Sequence, residues 1–99
     1  MLNELKHYGS EIKTFLSDYC DILEEHYYHN PRLNMQHCYA WEGWIKIDWI
    51  GQEYTIKLGI SPDLEPCVLI DEDGDWYESG LDLVWYAIAY QCRTKIFLS

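Results

Sequence analysis

Basic residues are scarce in this chain of 99 residues: seven Lys and Arg stand against seventeen Asp and Glu, a formal net charge of −10. That deficit argues against direct binding of nucleic acid or of an anionic membrane face, both of which attract cations. The expected partner is a basic protein. Long apolar runs are missing too. Glu4, Lys6, His7, Glu11, Lys13 and Asp18 interrupt the first twenty residues and leave no signal peptide. The uncharged stretch from Leu83 to Cys92 is about half the length of a membrane span. A cytoplasmic protein without membrane contact is expected. Glycine-rich phosphate loops, G-x-S-x-G elbows and H-E-x-x-H helices are absent, so the expectation is a binding protein, not an enzyme, with no cofactor.

What is present is apolar and aromatic. Hydrophobic residues make up 48 % of the chain and aromatic ones 16 %, enough for residues 1–99 to fold as a single ordered domain. Four cysteines, Cys20, Cys38, Cys67 and Cys92, read as buried thiols in a reducing compartment.

The N-terminal segment spaces Leu5, Ile12, Phe15, Leu16, Tyr19, Ile22, Leu23 and His26 or Tyr27 at three and four residues. That period predicts one long amphipathic helix, bent or divided at Gly9-Ser10 and ended by Asn30-Pro31. From Trp44 to Ile60 the period changes to two. Ile45, Ile47 and Trp49 alternate with polar residues, then Tyr54, Ile56 and Leu58 do the same, which predicts a hairpin. Taking Gly51-Gln52 as a type II′ loop pairs Trp49 with Tyr54, Ile47 with Ile56 and Ile45 with Leu58, all on one face. His37 to Glu42 reads as a strand before it, with Gly43 a bulge or turn. Cys67 to Asp71 and Trp76 to Glu78 read as strands after it, joined across Asp73-Gly74. Helical spacing returns at Leu81, Val84, Trp85, Ile88 and Cys92, with Ser79 as N-cap and Asp82 in the first turn. The class is α+β: a long N-terminal helix, a four- to five-stranded antiparallel meander and a C-terminal helix, both helices on the sheet's apolar face.

Charge is the most directional feature. No Lys or Arg occurs between Lys57 and Arg93, whereas Asp63, Glu65, Asp71, Glu72, Asp73, Asp75, Glu78 and Asp82 all do. Asp71, Asp73, Asp75 and Asp82 sit at calcium-loop spacings, but Trp76 stands where the sharp turn of such a loop requires Gly. His26, His29, His37 and Cys38 match no zinc pattern, and no metal is expected. Trp44, Tyr28, Tyr39, Tyr77, Tyr86 and Tyr90 fall off the apolar stripes and are candidates for exposure. The expected contact surface is Glu72, Asp73, Asp75, Trp76, Tyr77, Glu78 and Asp82, with Glu24 and Glu25 from the first helix. Carboxylates and aromatics so mixed suit a small inhibitor that masks a nucleic-acid-binding protein or nuclease by imitating a phosphate backbone. In size and charge the chain resembles anti-CRISPR, anti-restriction and nuclease-immunity proteins. The alternatives are a small metal- or ligand-binding domain using loop 71–82, or an accessory subunit.

Overall fold

The structure, a computed structural model, describes residues 2–30, 41–61, 64–69 and 80–98, with residues 90 and 92–98 described by backbone alone. The elements run α1 (Leu2–Leu16), β1 (Asp21–His29), β2 (Trp41–Trp49), β3 (Gln52–Ile60), β4 (Pro66–Leu69) and α2 (Leu83–Leu98). The strands form an antiparallel meander in the order β1-β2-β3-β4. Leu5, Ile12 and Leu16 of α1 and Val84, Ala87 and Ile88 of α2 share one core with Ile45, Ile47, Tyr54, Ile56, Leu58, Ile60 and Val68. The fold is therefore α+β, with both helices against one sheet face.

The N-terminal helix is shorter than its spacing predicts. It ends at Leu16, where the Ser17 hydroxyl donates to the Thr14 carbonyl at 2.8 Å and the amides of Tyr19 and Cys20 both donate to the Leu16 carbonyl. Ser17 and Asp18 offer the backbone such local alternatives to helix, and the chain then turns into β1. Leu23, counted on the helical stripe, lies where the β1–β2 register shifts and is 48 % exposed. Gly9 neither bends nor divides α1. It is buried because the Tyr27 hydroxyl occupies the space a Cβ would need.

Gly43 is likewise no bulge. It sits inside β2 opposite Tyr27 and Leu58, and Tyr27 folds its ring over it, leaving only 2.5 Å between Tyr27 Cδ1 and a Cβ built there. Trp41, Glu42 and Gly43 thus belong to the hairpin strand itself, while the rest of the predicted strand from His37, at 37–40, lies outside the described residues. The hairpin turn is Ile50-Gly51, with φ of 53° and 78°. Positive φ at both central positions makes it type I′, not II′. Trp49 pairs with Gln52, Ile47 with Tyr54 and Ile45 with Ile56. This register differs from the predicted one by two residues, so every side chain keeps its face.

Of the predicted strand from Cys67 to Asp71, residues 67–69 lie in β4; positions 70 and 71 and the predicted return strand lie outside the described residues. Helix α2 starts at Leu83, so Asp82 precedes its first turn, and the helix continues through Leu98. Cys20 and Cys67 are buried thiols.

Candidate partner-binding face

The pleat of β1, β2 and β3 turns every second side chain away from both helices, and cross-strand pairing gathers these residues into rows. At the hairpin end Asp21, Asp48 and Glu53 stand side by side. Glu24, Lys46 and Thr55 follow, then His26, Trp44 and Lys57, and finally Tyr28, Glu42 and Gly59. The register shift at Leu23 keeps this arrangement in phase, because Ile22 and Glu25 on either side both face the helices.

Neighbouring strands lie about 4.8 Å apart, so the first row brings three carboxylates as close as cross-strand geometry allows. Like charges directly opposite destabilise a sheet. Two contacts offset this. Lys46 Nζ lies 3.9 Å from Glu53, and Asp48 accepts the Gly51 amide at 3.1 Å. Burial raises the pKa of the adjacent Cys20 thiol, and the charges of Asp21 and Asp48 push it further.

Aromatic rings occupy the other end. His26 stacks on Tyr28 with centroids 5.7 Å apart and lies 5.8 Å from Trp44, and the Lys46 ammonium sits 5.4 Å from the Trp44 ring centre. Tyr28 donates to Glu42 at 2.6 Å, and Asn30 donates to the same carboxylate oxygen. Partial burial and then the Glu42 charge push the Tyr28 hydroxyl up to about 12. Tyr28 nonetheless keeps 36 % of its surface exposed, so the rings are fixed in place and still accessible.

The nine residues expected to form the contact surface have different fates. Glu72, Asp73, Asp75, Trp76, Tyr77 and Glu78 lie outside the described residues. Asp82 is exposed just before α2. Glu24 and Glu25 belong to β1, not to a helix end, and adjacent strand positions point to opposite faces. Glu24 stays on the open face. Glu25 turns toward α1, where Lys13 Nζ approaches to 2.6 Å and Tyr27 donates to its other oxygen at 3.0 Å. The Lys13 hydrogen bond holds its carboxyl below the ordinary value, and this carboxylate is committed internally. His26, Asp21, Asp48 and Glu53 were missed as a group. Once 21–29 is read as a strand, a period of two places His26, Asp48 and Glu53 with Trp44 and Lys46, and the register shift at Leu23 adds Asp21. Among the described residues no group of His, Cys, Asp and Glu is arranged to hold a metal ion, and no helix is long and apolar enough to cross a membrane.

No protein-family model, no curated protein and no solved structure matches this chain.

Proposed function

We propose that this chain is a binding protein that masks a basic, nucleic-acid-handling protein, with the open sheet face as its contact surface. The observation that carries the reading is the composition of that face: five carboxylates, Asp21, Glu24, Glu42, Asp48 and Glu53, share it with three aromatic rings and outnumber Lys46 and Lys57. Fixed aromatic anchors beside exposed charges are what protein interfaces are built from. The carboxylate row steers a basic surface toward the sheet, and Trp44 and Tyr28 then lose water and slow its release. Inhibition follows from occlusion: a groove that tracks phosphates is filled by a folded acidic surface.

The test is affinity purification of the full chain from its host, identification of the co-eluting protein, and surface plasmon resonance on variants. Glu24→Lys with Glu53→Lys is expected to slow association, and wild-type association is expected to slow as salt rises, because the screening length shrinks from about 30 Å at 0.01 M to about 8 Å at 0.15 M. Trp44→Ala is expected to speed dissociation instead. Simultaneous binding of nucleic acid and this chain by the partner would end the masking hypothesis.

A further inference from the structure

We infer that the outer edge of β1 pairs antiparallel with the same edge of a second copy of this chain, joining two four-stranded sheets into one. The inference does not rest on the masking function, because the pairing uses the edge of the sheet and leaves its open face free. Two strands end the sheet: β4, with four residues, and β1, with nine. Seven of the nine β1 residues are exposed, whereas none in β2 is. Among the described residues no strand pairs with the outer side of β1. A long uncovered edge presents backbone donors and acceptors in a row, which is a template for another strand.

The bonds of Thr55 identify the free backbone groups. In an antiparallel pair, opposed residues alternate between exchanging both their bonds and pointing both away. Thr55 gives its amide and its carbonyl to Gln91, so Thr55 and the opposed Lys46 point away from each other. The Lys46 groups then turn toward β1. Glu24, His26 and Tyr28 therefore exchange bonds with Lys46, Trp44 and Glu42, and the amides and carbonyls of Glu25, Tyr27 and His29 face outward.

Those three residues complement themselves. A two-fold axis normal to the sheet keeps each face on its own side, so residues opposed across it share a face. Centred on Tyr27, the pairing sets Tyr27 against Tyr27 and Glu25 against His29 of the second copy. Every outward donor and acceptor of the three residues is then used on both strands. Lys13 already lies beside Glu25, and no carboxylate is set opposite another. On the open face His26 comes opposite Tyr28 of the second copy, which extends the stack these rings form within each chain. Neighbouring registers fit less well. Centring on Glu25 opposes two carboxylates, and centring on His26 carries His29 to Leu23, where the β1–β2 register shifts. The two-fold pairing consumes both β1 edges, so growth through them stops at two copies.

Sedimentation equilibrium of the full chain tests this in about 0.15 M salt, which screens the like net charges of the two copies. The mass should rise from one chain to two between micromolar and millimolar concentration. Over the same range, hydrogen exchange read by NMR should slow at the amides of Glu25, Tyr27 and His29, whereas those of Glu24, His26 and Tyr28 stay slow throughout. His29→Pro removes one outward donor per copy at a position that an edge strand tolerates. It should weaken dimerisation at least about tenfold, the loss expected for two hydrogen bonds. A chain that stays monomeric at every concentration overturns the inference. So does a dimer in which the Glu25, Tyr27 and His29 amides remain fast, or wild-type dimerisation by a folded His29→Pro protein. Should that variant fail to fold by circular dichroism, the exchange pattern of the wild type decides.

Discussion

Both faces of the sheet carry tryptophan and tyrosine, but they use them differently. On the helical face Trp85 of α2 meets Tyr19 at 5.6 Å, Trp49 at 5.9 Å and Phe15 at 6.3 Å in edge-on contacts, and Trp49 continues the cluster to Tyr54. Rings from both helices and the hairpin therefore interlock. On the open face His26 meets both Tyr28 and Trp44 above the sheet, and no described helix covers them. Aromatic content alone does not report burial. A ring surrounded by three elements contributes to folding, whereas a ring resting on one sheet surface contributes little to folding and remains available to a partner.

The largest expected effect breaks this contrast most directly. Trp85→Ala should lower unfolding free energy by about 3 kcal/mol, in the range for truncating packed aromatics, while Trp44→Ala should change it by less than about 1 kcal/mol. Equal shifts of the urea midpoint would show that the open face is part of the folding core after all. The Gly9 notch comes next. In an exposed helix Gly→Ala gains about 1 kcal/mol, but here the new methyl meets the Tyr27 hydroxyl and should destabilise by about 1–3 kcal/mol through overpacking. In a Tyr27→Ala background the same substitution should become neutral or stabilising, which a double-mutant cycle measures.

The hairpin tip predicts a gain. Ile50 is β-branched, 81 % exposed and left-handed, so Ile50→Asn should stabilise by about 1 kcal/mol and Gly51→Val should destabilise by a similar amount. The smallest effects concern protons. Tyr8 and Tyr28 titrate near 12 when folded, above the unfolded value of about 10. Their stabilisation is complete below pH 10 and is lost as pH rises from 10 through 12, a limb that Tyr28→Phe should diminish in alkaline urea titrations. Glu25 behaves oppositely. Its depressed carboxyl stabilises above its unfolded value of about 4.3 and loses that contribution as pH falls through its folded value. Lys13→Met should remove this acid dependence and about 0.2–1 kcal/mol, as expected for an exposed pair.

The sheet's apolar face was legible in the sequence because a period of two survives any even slip. Pairing Ile47 with Ile56 or with Tyr54 buries the same side chains, so alternation alone could not distinguish the registers. Turn chemistry would normally decide between them, but isoleucine in a left-handed position contradicts it. β1 was hidden for a different reason. Tyr19, Ile22, Leu23 and His26 happen to repeat at helical intervals, and only Ser17 and Asp18 hint that the helix has stopped. Misreading that strand separated Asp21, Glu24, His26 and Tyr28 from Trp44 and Lys46, so most of the candidate face could not be assembled, although Tyr28 and Trp44 were individually recognisable as exposed.

Gln91 gives α2 a second attachment besides its apolar packing. Its amide accepts from the Thr55 amide at 2.9 Å and donates to the Thr55 carbonyl at 2.5 Å, replacing at one position the two bonds a neighbouring strand would make. The protection of a central-sheet proton is thereby placed under the control of a helix. Deuterium uptake at Thr55 then becomes a local gauge of whether α2 is seated: it accelerates when the helix lifts away, even while the amides linking β2 to β3 remain slow.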